Sequence, residues 1–401
     1  MSTEALRTLE IRPARTEDLR ALVALEEAVF DYDRLSRRNF QWMQRRANAA
    51  LLVATPPTPE GETAVTEPEI AGYALVLFHR GTSLARLYSI AVSDSARGQR
   101  LGARLLEAAE AEAVARGAVY LRLEVRADNA TAIQLYVSRG YVPFERVVGY
   151  YGQHGDALRF EKRIRFPSLE SHVRAIPYYE QITDFTCGSA SLMMAMAALD
   201  SDYTPSRQEE LQIWREATTI FMTSGHGGCS PHGLAVAAAT RGFEVSVYSN
   251  SDSVPFLEGV RDEAKKEVMR LVHEDFLAKL DASHAQVVQS VLSFEELRAR
   301  MDEGVVPVVL ISEYRLTHKK APHWVVLTGY DERFVYMHDP GVDEDEHRSA
   351  TDYIHVPVTH ADFERMSRFG RSRLRSVVML SAPRSRSGDR RRKSRRRTPT
   401  P

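Results

Sequence analysis

The feature that most restricts how this chain can fold is a break in its pattern at RIRFPSLESHVRAIPYY, residues 163–179. Ahead of the break, short apolar strands alternate with amphipathic helices across brief turns. Behind it, helices come first and apolar strands gather toward the end. One sheet cannot serve both orders, so the sequence is read as two domains, which 401 residues are enough to supply. The expected organisation is a first domain over 1–165, a linker over 166–174, a second domain over 175–380 and a disordered basic tail over 381–401.

Charge is divided as unevenly as pattern. The tail SAPRSRSGDRRRKSRRRTPTP carries nine Lys or Arg against one Asp, so a net charge of -1 leaves the other 380 residues at about -9. Such a tail attracts RNA, ribosomes or acidic peptides weakly and without sequence preference, and it carries no aromatic residue on which a base could stack. The only cysteines, Cys187 and Cys229, form no CxxC and no disulfide framework. The N-terminus MSTEALRTLEIRPARTEDLR lacks the apolar core of a secretion signal, and no apolar run approaches the roughly 18 residues of a membrane span. A reducing cytoplasm, with no membrane partner, is the expected setting.

In the first domain, RTLEIRPARTEDLRALVALEEAVF reads as strand, turn and helix, and ALLVATP and IAGYALVLFH as two further strands. LARLYSIAVSDSARGQRLGARLLEAAEAEAVARG is a strand, a basic glycine-containing turn and a helix. Backbone N–H groups at the start of that helix suit a pyrophosphate. The turn is neither GxGxxG nor a P-loop, and a ligand-free surface turn would read the same. Downstream, VYLRLEVRADN is a strand and NATAIQLYVSRG a helix. Glu124 on the strand is either a solvent-facing carboxylate or a base; Tyr136 on the helix is either core or a proton donor.

These residues in this order resemble the GNAT acyltransferases, and within them the bacterial ribosomal-protein-alanine N-acetyltransferases, over residues 7–165. The resemblance implies an α/β GNAT fold with a central mixed sheet, and acetyl-CoA as cofactor. The family loop Q/R-x-x-G-x-G/A falls on Arg97, Gly98, Gln99, Arg100, Leu101 and Gly102, with Ala103 following. Arg100 stands where the family has its first glycine, which makes the turn less permissive. LEVRADNATAIQLYVSRGY matches the alanine-acetyltransferase signature. That match makes Glu124 the general base, Tyr136 the general acid and Asn129 a contact to the cofactor arm. Backbone groups at Ala91 and Val92 would hold the thioester carbonyl. Phe30, Asp31 and Tyr32 would stand near the acceptor entrance, and Gly149 to Tyr151 would wall the acceptor peptide. The implied partner is a peptide or protein with a free amine.

The second domain opens with QITDFTCGSASLMMAMAALD, a loop running into a helix dense in Ala and Met, so that Cys187 stands at a helix N-terminus. The methionines read as core packing. Helices at SRQEELQIWREATTI, GGCSPHGLAVAAATRG, DEAKKEVMRLVHEDFLAKLDASH and SFEELRARMDEG precede strands at VVPVVLIS, HWVVLTGYD and RFVYMHDP. Helices ahead of a small antiparallel sheet suggest a papain-like α+β unit. His323 opens one strand and Asp339 ends the next, and adjacent antiparallel strands would set them side by side. A helix dipole and an imidazolium both favour a thiolate, a carboxylate fixes the imidazole, and Gln181 can donate to an oxyanion. Blander readings remain: a core cysteine, a strand-capping histidine, and a turn-forming Asp before Pro340. Together the residues resemble the cysteine peptidases that remove double-glycine leaders from bacteriocins, over about 175–380. The resemblance implies Cys187 as nucleophile, His323 as base, Asp339 as its orienter and Gln181 as oxyanion donor.

Two departures matter. No membrane-exporting part accompanies the peptidase pattern, and the charged stretch 255–290 looks inserted, covering the cleft or rebuilding its specificity. Cys229, with His226 and His232 nearby in sequence, makes a poor closed zinc site, so no metal is expected. The joint reading is an acetyl-CoA-dependent N-acetyltransferase coupled to a Cys-His-Asp peptidase-like domain. Its rivals are a transferase with a non-catalytic peptide-binding domain, and an adaptor bound to peptide or ribosome.

Overall fold

A computed structural model describes residues 9–45, 48–57, 69–219, 227–283, 285–341 and 347–383. The basic residues 384–401 and His226 lie outside the described residues. Two compact units result: Met1–Glu170 together with Arg348–Asp352, and Ser171–His347 together with Tyr353–Pro401. A division at one point in the chain therefore misses five residues, which return to the first unit from far downstream.

The first unit is built on β1 (Glu10–Pro13), α1 (Leu19–Val29), α2 (Arg37–Arg45), β2 (Ala49–Thr55), β3 (Gly72–Phe78), β4 (Leu84–Val92), α3 (Leu101–Ala115), β5 (Tyr120–Arg126), α4 (Ala130–Ser138), β6 (Val142–Val147) and β7 (Ala157–Arg163). Its seven strands run in the order β1-β2-β3-β4-β5-β7-β6, and all neighbours are antiparallel except β4 and β5. β2 reads AALLVAT, without polar alternation, because helices cover both faces of the sheet. Ala50 and Ala54 face the cluster under α3, while Ala49, Leu51 and Val53 face the cluster under α1 and α2.

The second unit contains β8 (His172–Val173), α5 (Cys187–Leu199), α6 (Arg207–Ala217), α7 (Pro231–Thr240), β9 (Glu244–Ser249), α8 (Glu263–Ala282), β10 (Gln286–Gln289), α9 (Phe294–Asp302), β11 (Val306–Ser312), β12 (Pro322–Tyr330), β13 (Phe334–His338), β14 (Val356–Thr359), α10 (His360–Met366) and β15 (Ser376–Ser381). The expected small antiparallel sheet proves larger and mixed: eight strands in the order β10-β9-β15-β11-β12-β13-β14, with β8 on β12 and one parallel pair, β9 with β10. Both faces are covered. On β12, Trp324 and Val326 pack toward α5, while Val325 and Leu327 pack into the opposite cluster with Phe363 of α10. The expected linker contributes β8, which lies so close to β12 that a side chain at Gly329 would meet the His172 carbonyl at 2.3 Å.

The Met-rich helix is core, as its composition suggests. Leu192, Met193, Met194 and Met196 are fully buried, each contributing roughly 1.5–3 kcal/mol by removal from water. The charged stretch forms α8, which packs on α7 through Met269, His273, Phe276 and Leu280 and keeps its charged face outward. No helix among the described residues is long and apolar enough to cross a membrane.

Candidate active sites

In the first unit the site begins where two strands part. β4 and β5 pair in parallel only from Leu84↔Tyr120 to Leu87↔Leu123. Against β3, β4 carries one extra residue: Val76 faces Leu87 and Leu75 faces Ser89, so Tyr88 is bulged and the strand bends there. Ala91 and Val92 stay paired to β3 on one side and border a cleft of about 1160 Å³ on the other.

The turn into α3 forms part of the cleft wall. Gly98 has φ 76°, and Arg100, the residue just ahead of the helix, takes φ 62°. A left-handed arginine costs roughly 1–2 kcal/mol, the penalty expected for a side chain at a glycine position. No side chain caps α3, so the first amides of Leu101, Gly102 and Ala103 face outward at the positive end of the helix, an anion site. Arg97, Gly98, Arg100, Leu101, Gly102, Ala103 and Asn129 all line the cleft. Gln99 stands apart, its side chain donating to the Ser95 carbonyl at 3.4 Å. Asn129 also caps α4 by accepting from the Ala132 amide at 3.1 Å. The uncapped amides and the volume fit a pyrophosphate-bearing cofactor such as a coenzyme A thioester.

The same cleft is also lined by Glu124, Tyr136, Phe30, Asp31, Tyr32, Tyr150 and Tyr151. Glu124 receives five donors. Arg86 Nη1 and the Tyr150 hydroxyl each reach Oε2 at 2.9 Å; Arg159 Nε at 3.2 Å, Ser349 Oγ at 3.0 Å and Thr351 Oγ1 reach Oε1. Burial opposes the charge, but Arg86, the Thr351 hydroxyl and Arg159 outweigh it and hold the carboxyl below its ordinary value. Tyr136 is buried against Tyr141 and Phe160, and burial pushes its phenol up, so it stays protonated. Arg86, Arg159, Ser349 and Thr351 escape a sequence reading. The one signal was an arginine inside each of two otherwise apolar strands, LARLYSI and ALRF.

In the second unit the four expected residues converge. Cys187 is the first residue of α5, and His323 and Asp339 come from β12 and the end of β13. His323 Nε2 lies 2.6 Å from Asp339 Oδ1, and the Cys187 thiol also engages the ring, which leaves Nδ1 as its partner. Burial works to discharge the imidazole, yet Asp339 and Cys187 together raise it well above its ordinary value. Asp339 Oδ1 also accepts from the Gly341 amide at 2.9 Å, and the Tyr178 hydroxyl donates to the Asp339 carbonyl at 3.0 Å. Gln181 is held by its own amide on the Pro340 carbonyl at 2.9 Å, and its side-chain Nε2 donates to Thr183 at 2.9 Å. It stands beside His323 and Asp339 around Gly341.

Cys229 has a different fate. Burial pushes its thiol up to about 12, and its carbonyl accepts from Trp324 Nε1 at 3.1 Å. A side chain at Gly188 would meet Cys229 Cβ at 2.8 Å and Trp324 Cδ1 at 3.1 Å, so the glycine after Cys187 is required by packing. No cluster of three metal-ligating side chains occurs among the described residues.

Comparison with known proteins divides the chain along similar lines. Residues 17–141 match the acetyltransferase (GNAT) family. Mycothiol acetyltransferase of Jonesia denitrificans is 33% identical over 99 residues, 25% of this chain and 30% of that protein. N-alpha-acetyltransferase 30 of Schizosaccharomyces pombe is 32% identical over 83 residues, 20% of this chain and 55% of that protein. The chain thus spans about a third and about half of the curated relatives it matches. Among solved structures, the ribosomal-protein-S18-alanine N-acetyltransferase from Escherichia coli is 28% identical, covering 39% of this chain and 94% of that one with a TM-score of 0.33. Residues 176–381, just over half of the chain, match the family described as Peptidase_C39 like. The chain therefore belongs to the Peptidase_C39 like family and carries a GNAT acetyltransferase domain ahead of that region.

Proposed function

We propose that the first unit transfers an acetyl group from acetyl-CoA to the amine of a peptide or protein, and that the second hydrolyses a peptide bond through Cys187. The observation that carries the first half is that one cleft is lined both by the uncapped start of α3 and by Glu124 with Tyr136. Bound there, acetyl-CoA supplies an activated thioester.

The residues of the chain do the rest. The α3 amides and Arg97 hold phosphate, and the unpaired edge of β4 at Ala91 and Val92 orients the acyl carbonyl. An α-amine has an ordinary pKa of about 7.7–8, so part of it is already neutral near pH 7.5. The proton to be removed is the one made acidic as the C–N bond forms, and a carboxylate as weak as Glu124 suffices for it. Five donors fill Glu124, so the proton reaches it through Tyr150, the one hydroxyl among them that lines the cleft, or through water. Tyr136, kept protonated by burial, donates to the departing thiolate.

In the second unit, the Cys187 thiolate attacks the peptide carbonyl and His323 passes the proton to the leaving amine. A water that gives its proton to His323 then cleaves the thioester, releasing the acid and restoring Cys187. Asp339 holds the ring throughout, and Gln181 donates to the oxyanion. Cleavage exposes an α-amine, which is the group the first unit takes. The full chain should release CoA from acetyl-CoA only when a peptide with an unblocked N-terminus is present, with the acetyl mass recovered on that terminus. No turnover across a varied peptide library would sink the first assignment. Cleavage of the same library by the parent but not by Cys187→Ala tests the second.

A further inference from the structure

Five residues of the first unit come from a stretch of chain that otherwise builds the second. Arg348–Asp352 is stitched across three strands. Arg348 Nη2 donates to the Phe78 carbonyl at 2.7 Å beside the end of β3, and His79 Nδ1 donates to the Asp352 carbonyl at 3.0 Å. Asp352 forms an ion pair with Arg86 Nε of β4 at 3.1 Å, and Arg122 Nη1 of β5 donates to the Thr351 carbonyl at 3.1 Å. Ser349 Oγ and Thr351 Oγ1 end on Glu124 Oε1, across 225 and 227 residues of chain. Thr351 and Asp352 are almost wholly buried.

The placement of these groups tells positioning from obstruction. Glu124, Arg86 and Tyr150 line the cleft, and none of the residues 348–352 does. The segment therefore does not stand where an acceptor would; it backs the carboxylate. We propose that Arg348–Asp352 completes the acetyl-transfer site, with Ser349 and Thr351 as positioning residues that hold the Glu124 carboxylate from the side away from the cleft. The kinetic consequence rests on the acyl-transfer reading above; the structural one does not.

The charged and titratable groups around Glu124 come from every element packed on it: Arg86 and Tyr88 of β4, Arg159 of β7 with its own partner Glu145 of β6, Tyr150 and Tyr151 before β7, and Asp352. Asp352 on Arg86 and Glu145 on Arg159 limit how far either arginine can draw Glu124 aside. The two hydroxyls add neutral donors that fix one oxygen and leave the other toward Tyr150.

The test is Ser349→Ala with Thr351→Val in the full chain, read two ways. Carbon-13 NMR of glutamate side-chain carboxyls, with Glu124→Gln identifying the signal, follows the titration of Glu124 directly. Loss of two donors to an anion should raise its midpoint by about one pH unit or more. The acidic limb of kcat/KM for acetyl transfer should move by the same amount with KM for acetyl-CoA unchanged, and Thr351→Ser should restore both. An unmoved midpoint overturns the proposal, whatever the activity. A moved midpoint in a protein that transfers no acetyl group sustains the positioning role and overturns the transfer reading instead. Should the double variant not fold, Thr351→Val alone carries the same test with about half the shift.

Discussion

Replacing Asp339 with Asn keeps the size of the side chain and removes only its charge. An asparagine Oδ1 can still accept from the Gly341 amide, so the loop after β13 keeps its anchor. What is lost is the negative charge that faces His323. The pair is 2.6 Å apart and both side chains are less than a tenth exposed, so solvent screens it poorly. A hydrogen bond to a charged group under such conditions contributes roughly 1.5–3 kcal/mol, which is roughly 10- to 150-fold in the population of imidazolium facing the Cys187 thiolate. The assay is iodoacetamide alkylation of Cys187 from about pH 5 to about pH 9, followed by peptide mass mapping. Cys229, its thiol pushed up to about 12 by burial, serves as the unreactive internal standard. Asp339→Asn should slow labelling by that factor at mildly acidic pH, with the difference narrowing toward the alkaline end of the range. Superimposable curves in a variant that melts with the parent would refute the ion-pair reasoning and leave Cys187 a buried thiol in a peptidase fold.

Three further outcomes follow from packing, burial and the cleft. Gly233→Ala should cost about 3 kcal/mol, a fall in Tm of about 6–12 °C for a unit of this size, because the new Cβ would lie 2.4 Å from the Ala217 carbonyl oxygen, while Gly228→Ala, with nothing within 4 Å, should melt like the parent. His232, buried against His273 with ring centroids 4.6 Å apart, is lowered to about 4 by burial and then by its neighbour, whereas an unfolded histidine titrates near 6.5. Between those values the unfolded chain binds the extra proton, so stability falls as pH drops from about 6.5 to about 4, by up to about 3 kcal/mol; urea melts of the parent and His232→Gln should converge with acidification, and parallel curves would refute the assignment. Tyr136→Phe should fold normally and lose roughly 10²-fold or more in kcat with little change in KM for acetyl-CoA, since only the proton to the departing thiolate is removed; an unchanged kcat would shift that role elsewhere.

The reach of the sequence can be judged from particular residues. The end of β4, the turn at Arg97 to Gly102 and the start of α3 were legible because they are contiguous: strand period, glycine and helix period follow one another within twenty residues or so. Cys187 was legible for a similar reason, since CGSASLMMAMAAL announces a helix that begins at the thiol. His323 and Asp339 lie farther off, yet each marks a strand end, and the turn between β12 and β13 is short enough to fix their pairing. The size of the second sheet was less so, because β9 and β10 pair with strands far away in sequence and short apolar runs leave their partners open.

The stretch RSATD at 348–352 reads as a polar loop, with no period and no turn residue that would suggest burial. Its role depends on charges that only folding brings together. Arg86 and Arg122 point into one layer of the first unit from neighbouring strands, and buried guanidinium groups side by side demand anions and carbonyls. Glu124 and Asp352 answer Arg86, and Glu161 with the Thr351 carbonyl answers Arg122. A buried arginine in an otherwise apolar strand is thus a statement about a missing partner. Here Arg86 of LARLYSI and Arg122 of YLRLEVR are register partners on parallel strands; Glu124 and Glu161 of the first 165 residues pair with them, and Asp352 adds a second carboxylate on Arg86.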